Sequence, residues 1–137
     1  MDTLRTIVVD DHEAFRKSLL KTLTDFQFIQ IVGEAGSAEE ALKAVEERHP
    51  HLVIEDIRLP GMDGFELARI LKSRYPHIQL VVISLYGSTA YRWEAEKLGI
   101  PYIPKQWLLA ELPGALEEIL RRRNGSAVED TGGGDDS

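Results

Sequence analysis

Asp10, Asp11, Asp56, Ser84 and Lys105 are the residues whose types and spacing point to joint chemistry. Each follows a short apolar run: Ile7 to Val9 before the first two acids, Leu52 to Ile54 before Asp56, Leu80 to Ile83 before Ser84, and Ile100 to Pro104 before Lys105. Carboxylates brought together repel one another and raise their own pKa values. A hard divalent cation removes that penalty, and oxygen ligands in a chain with no cysteine select Mg²⁺ or Mn²⁺ over zinc. Such a metal leaves room for a phosphoryl group, which an oxygen of Asp56 would attack in line. Lys105 would supply positive charge and Ser84 a hydrogen bond to the equatorial oxygens. Taken singly, each residue has an ordinary role as a solvated acid, a capping hydroxyl or a surface lysine. Their coincidence at the ends of successive apolar runs carries the chemistry.

The elements between them must bring these ends together. Arg5 to Asp10, Phe28 to Glu34, Leu52 to Asp56, Ile78 to Ser84 and Ile100 to Pro104 read as short strands, the third apolar enough for burial on both sheet faces. Between them lie helical patterns over about His12–Asp25, Ser37–Arg48, Asp63–Tyr75 and Ser88–Leu98. A last helix is striped by Leu112, Leu116, Ile119 and Leu120, with Pro113-Gly114 in its first turns. Ser37-Ala-Glu-Glu40 is a capping box, and Asp63 can cap the helix after the Pro60-Gly61 turn. Strands alternating with helices give a doubly wound parallel sheet covered on both faces, an α/β fold. Parallel strands deliver all five side chains to one edge, where open α/β sheets place their chemistry.

The chain of 137 residues, 43% of them hydrophobic, suffices for a single core. A net charge of -7 argues against a nucleic-acid surface. No apolar run reaches membrane-span length, and Met-Asp-Thr-Leu-Arg is no signal peptide, so a cytoplasmic protein is expected. The stretch from Asn124 to Ser137 is rich in Gly and Asp and reads as disordered.

From about Leu4 to Arg122 the chain resembles the receiver domain of bacterial two-component response regulators. The resemblance lies in Val9-Asp10-Asp11-His12, Asp56-Ile-Arg-Leu-Pro-Gly-Met-Asp-Gly64, Ile83-Ser84 and Tyr102-Ile-Pro-Lys105. It implies the flavodoxin-like strand order 2-1-3-4-5 with five helices. It further implies Asp56 as phosphoacceptor, Asp11 and Asp10 as Mg²⁺ ligands with Asp56 and the backbone carbonyl of Arg58, Ser84 as switch hydroxyl, Lys105 as phosphoryl partner and Tyr102 as switch aromatic. A sensor histidine kinase or phosphotransfer protein would be the donor. The face of helix 4, strand 5 and helix 5 would carry the output, through homodimerisation or another partner. A receiver over 1–122 and a tail or linker start over 123–137 are the expected organisation. The Asp-Asp-His opening most resembles regulators that carry a helix-turn-helix output domain.

This chain departs from the family pattern at several positions. Glu55 stands where an apolar residue is usual, and is expected to reach water or a basic neighbour because a buried unpaired carboxylate is costly. Leu85 replaces a small residue beside the switch hydroxyl, and Gln106 replaces the proline after the lysine. A haloacid-dehalogenase-type phosphatase would need a second acid where Arg58 stands, and a flavodoxin an uncharged, hydroxyl-rich loop after strand one. The remaining rival is a receiver-like interaction module that signals without phosphorylation.

Overall fold

The structure, a computed structural model, describes the backbone of residues 3–85 and 87–136 and the side chains as far as 124. Five parallel strands, β1 (Leu4–Val9), β2 (Ile29–Ala35), β3 (Leu52–Asp56), β4 (Gln79–Ser84) and β5 (Tyr102–Pro104), form one sheet in the order β2-β1-β3-β4-β5. They alternate with α1 (Glu13–Leu23), α2 (Ala38–Arg48), α3 (Gly64–Arg74), α4 (Thr89–Leu98) and α5 (Leu108–Asp136), the last preceded by a 3₁₀ turn at Lys105–Trp107. The expected tail or linker over 123–137 falls, beyond the exposed Arg123 and Asn124, outside the described side chains.

Alternation along the strands divides the core in two. Ile7, Val9, Val53 and Val82 pack with Ala41 and Val45 of α2, Leu67 and Leu71 of α3, and Ala95 of α4. Val8, Ile54, Val81, Ile83 and Ile103 pack on the other face with Leu19 and Leu23 of α1 and Leu112, Leu116 and Ile119 of α5. Leu71 and Leu116 are fully buried. Truncating either to alanine would cost about 2–5 kcal/mol.

Local chemistry sets where the helices start and stop. Ser37 Oγ accepts the Glu40 N–H at 3.1 Å while Glu40 Oε1 accepts the Gly36 N–H at 2.8 Å, a reciprocal cap shifted by one residue from the usual box. Asp63 accepts the N–H groups of Phe65 and Glu66 at 2.8 and 3.0 Å and opens α3. His49, at φ 51°, closes α2 just before Pro50. Pro113 lies inside α5 and has no N–H to offer the carbonyl of Leu109.

Gly64 has a packing reason. A Cβ there would lie 2.5 Å from the carbonyl oxygen of Asp56 and 2.7 Å from Ile57 Cα, and the Gly64 N–H donates to the Ile57 carbonyl at 2.6 Å. Only glycine lets α3 begin so close to the end of β3, which holds Asp56 at the mouth of the loop. The register then lines up the site: Val9 stands opposite Glu55, Asp56 opposite Ile83, and Ser84 opposite Pro104.

Candidate functional site

The ammonium of Lys105 bridges two acids that the register delivers to the same edge. Its Nζ lies 2.7 Å from Asp10 Oδ2 and 2.8 Å from Asp56 Oδ2, and its side chain is only 6% exposed. The Phe15 ring, projecting from the first turn of α1, sits 4.1 Å from the same nitrogen and helps hold it in place. The other oxygen of each acid accepts a backbone N–H: Asp10 Oδ1 from His12 and Asp56 Oδ1 from Arg58, both at 2.9 Å. Arg16 Nη1 donates to the Asp10 carbonyl at 2.6 Å and fixes the end of β1.

Burial pushes the Asp56 carboxyl above its ordinary range, against the lowering contributions of Lys105 and the Arg58 N–H, and the charge of Asp10 adds to the rise. For Lys105, burial acts to lower the pKa, but hydrogen bonds and charge from Asp10 and Asp56 outweigh it and hold the ammonium above its usual value. Two acids against one ammonium leave the cluster short of positive charge.

The residues fit a hard cation. Carboxylate oxygens of Asp10, Asp11 and Asp56 and a ring nitrogen of His12 all lie within 4.8 Å of one another. Asp10 and Asp56 are buried and Asp11 is exposed, so the cluster opens to solvent on the Asp11 side. An oxygen-dominated donor set with excess negative charge suits Mg²⁺ or Mn²⁺. Arg58 enters the observed contacts through its N–H, not its carbonyl.

Ser84 and Tyr102 meet on the other side of Asp56. Their hydroxyl oxygens are 2.7 Å apart and buried, and the Ser88 N–H donates to the Tyr102 oxygen at 3.2 Å. Tyr91 packs edge-on against the Tyr102 ring at 6.5 Å and against Phe65 at 5.9 Å, with the Arg92 guanidinium 5.2 Å from the Tyr102 ring centre. A cavity of about 340 Å³ is lined by Asp56, Ser84, Leu85 and Ser88 among others, so acceptor and hydroxyl share one space. A neighbouring cavity of about 480 Å³ runs past Asp11, Arg58, Pro60 and Tyr91.

All the acids, the hydroxyl and the lysine singled out in the sequence therefore gather at one sheet edge. Glu55 is a correction. Expected to reach water or a basic neighbour, it is fully buried, and neither carboxyl oxygen has a hydrogen-bond partner among the described residues. Burial drives its pKa well up, and the charges of Asp63 and Asp56 push the same way. Sequence reasoning gave no site role to His12, Phe15 or Arg16. The signal for all three was their place in the first turn after the paired acids, where a helix leaving β1 must pass over the site.

Comparison with known proteins agrees with this geometry. The family model described as the response regulator receiver domain matches residues 6–117. The response regulator GacA of Pseudomonas viridiflava is 33% identical over 118 residues, covering 85% of this chain and 55% of GacA. The DNA-binding transcriptional activator DevR/DosR of Mycobacterium tuberculosis is 33% identical over 117 residues, 85% of this chain and 54% of the activator. The chain thus spans about half the length of these curated relatives. Among solved structures, a LuxR-family response regulator from Aurantimonas sp. SI85-9A1 superposes with a TM-score of 0.81 at 29% identity, covering 88% of this chain and 86% of that one. The isolated receiver domain of RcsB from Salmonella enterica serovar Typhimurium, solved with a beryllofluoride phosphomimetic, gives 0.82 at 23% identity over 88% and 90% of the two chains, a likeness of fold. Among the described residues, no helix is long and apolar enough to cross a membrane. An acid cluster bridged by a lysine at the edge of a 2-1-3-4-5 sheet, and a family match over residues 6–117, lead to one conclusion: this chain belongs to the response regulator receiver domain family.

Proposed function

We propose that this receiver domain accepts a phosphoryl group on Asp56 from a sensor histidine kinase or a phosphotransfer protein. The observation that carries it is the Asp56 carboxylate at 2.8 Å from Lys105 Nζ, sharing a cavity with Ser84 and a cluster with Asp10 and Asp11. In the transfer, an Asp56 oxygen forms a bond to phosphorus as the bond from phosphorus to the donor breaks, its electron pair leaving with the donor. Lys105 stands ready to meet the negative charge gathered on the phosphoryl oxygens, and Ser84 donates a hydrogen bond to one of them.

Asp10, Asp11, Asp56 and the Arg58 carbonyl are the ligands proposed for Mg²⁺, with Mn²⁺ as a substitute. When bound, the metal offsets the excess negative charge and clamps the incoming phosphoryl oxygens. The domain is a signalling acceptor that assists its own phosphorylation and dephosphorylation. Its output passes through the α4–β5–α5 face, where Trp93 and Trp107 are exposed, to a second copy or another protein. Nucleic-acid binding is not assigned to this domain, whose chain carries a net charge of -7.

Incubation with Mg²⁺ and acetyl phosphate should add one phosphoryl group to the intact mass, and Asp56→Asn should abolish it. An unchanged mass with both acetyl phosphate and a phosphorylated kinase would favour an interaction module that signals without phosphorylation.

A further inference from the structure

We infer that Phe15 is a positioning residue for phosphoryl transfer: the face of its ring holds the Lys105 ammonium in place while Asp56 reacts, and takes up none of the oxygens the reaction needs. This rests on the phosphoacceptor function proposed for Asp56 and deepens it, by adding to that site a residue with no polar atom in its side chain.

The donors of Lys105 carry the inference. An ammonium has three N–H groups and no lone pair. Asp10 Oδ2 at 2.7 Å and Asp56 Oδ2 at 2.8 Å meet two of them, and among the described residues no third oxygen stands against the nitrogen. The side chain is only 6% exposed, and the Phe15 ring centre lies 4.1 Å from the nitrogen. The pull of a ring face acts on the whole charge through the ring's quadrupole, and is strongest where water is excluded. It therefore anchors the ammonium without committing a donor and without adding another negative charge. A carboxylate in the same place would do both.

The hold matters most during the transfer itself. As an Asp56 oxygen bonds to phosphorus, and the donor leaves with the electron pair of its own bond, the Asp56 carboxylate gives up its charge and its grip on Lys105 weakens. The contact with Phe15 is unaltered by that step. The ammonium stays where the phosphoryl oxygens gather charge, with an N–H to offer them.

The ring is itself fixed. Phe15 lies one turn before Leu19 and two before Leu23 on α1, and packs against the core to which those leucines belong. Its neighbour Arg16 ties the same turn of the helix to the end of β1, through the Asp10 carbonyl at 2.6 Å. An ordinary core role would ask only for an apolar side chain at this position. The aromatic face beside a buried ammonium is what adds the function.

Replacing Phe15 site-specifically by mono-, di- and trifluorinated phenylalanine keeps the ring's shape and drains its face of negative potential in steps. Phosphorylation rates with acetyl phosphate and Mg²⁺, read by intact mass, should fall with each fluorine and reach a loss of about three- to tenfold. Phe15→Leu should lose a similar amount. Urea midpoints of the metal-free proteins give a readout independent of the reaction: fluorine should destabilise the protein with Lys105 in place and not in a Lys105→Met background. A rate that ignores fluorine would overturn the inference, even with responsive midpoints. So would a midpoint loss that persists undiminished with Lys105→Met, the mark of plain core packing. A wild type that takes up no phosphoryl group would remove the phosphoacceptor function, and the inference with it. A Lys105-dependent fluorine effect on the midpoints would then identify that function, and not the ring contact, as the point of failure.

Discussion

Glu55 and Asp56 are consecutive residues of β3 whose carboxyl groups leave the sheet on opposite faces. Asp56 meets Lys105 and the Arg58 N–H, whereas Glu55 meets no hydrogen-bond partner among the described residues. Both carboxyls are pushed upward by burial, but only Asp56 has a cation and an N–H donor to oppose that rise.

This difference predicts a pH-dependent stability. The folded state raises the Glu55 pKa above the ordinary 4.5, so its contribution is complete below that value and is lost as pH rises from there toward the folded-state pKa. Glu55→Leu should be more stable than wild type by about 1–3 kcal/mol near neutral pH, with the gap narrowing as pH falls to about 4.5. Urea midpoints at both ends of that range would show it, and a gap independent of pH would mean that Glu55 ionises freely in the fold.

The second prediction concerns the metal. If Asp10, Asp11 and Asp56 converge on Mg²⁺, the cation binds only the native state and raises the thermal midpoint, by the equivalent of about 2.7 kcal/mol at a hundredfold excess over Kd. Asp11→Ala should erase most of the gain. Equal midpoints with and without millimolar Mg²⁺ would show that the cluster does not take it.

Leu85 should slow the chemistry. It lines the cavity that holds Asp56 and Ser84, yet is 52% exposed, so it stands at the rim where donor and water must pass. Leu85→Ala should speed phosphorylation, hydrolysis of the phosphoryl group, or both, by more than twofold, about 0.4 kcal/mol of barrier. Rates within twofold of wild type in both directions would mean that the rim is open despite Leu85.

Helix α4 should report the switch. Tyr91 and Trp93 diverge by about 200° around the helix axis, and only Tyr91 packs inward, against Phe65 and Tyr102. Trp93 is 61% exposed, its ring covered on one side by the Lys97 ammonium at 4.3 Å. Beryllofluoride with Mg²⁺ should change Trp93 fluorescence in a Trp107→Phe variant and strengthen self-association in sedimentation. If the mimic binds and neither signal moves, the output leaves by another face.

What the sequence by itself determined is local or periodic. Strand and helix order, the caps at Ser37 and Asp63, and the delivery of Asp10, Asp56, Ser84 and Lys105 to one edge all follow from apolar alternation and from residues within a few positions of each other. What the tertiary structure decided is which groups meet across the sheet. The Ser84–Tyr102 hydrogen bond joins residues 18 apart, and the Phe15 ring reaches Lys105 from another element altogether. Glu55 shows the same limit from the other side: long and flexible, it could have escaped to solvent, but β3 is the middle strand of the sheet, with β1 and β4 flanking it. Its solvation depends on how α3 closes over that strand, and Gly64 brings α3 to within contact of the β3 backbone. Periodicity along one chain identifies which face a side chain takes, but a hydrogen bond depends on separations of tenths of an ångström that only the packed layers set.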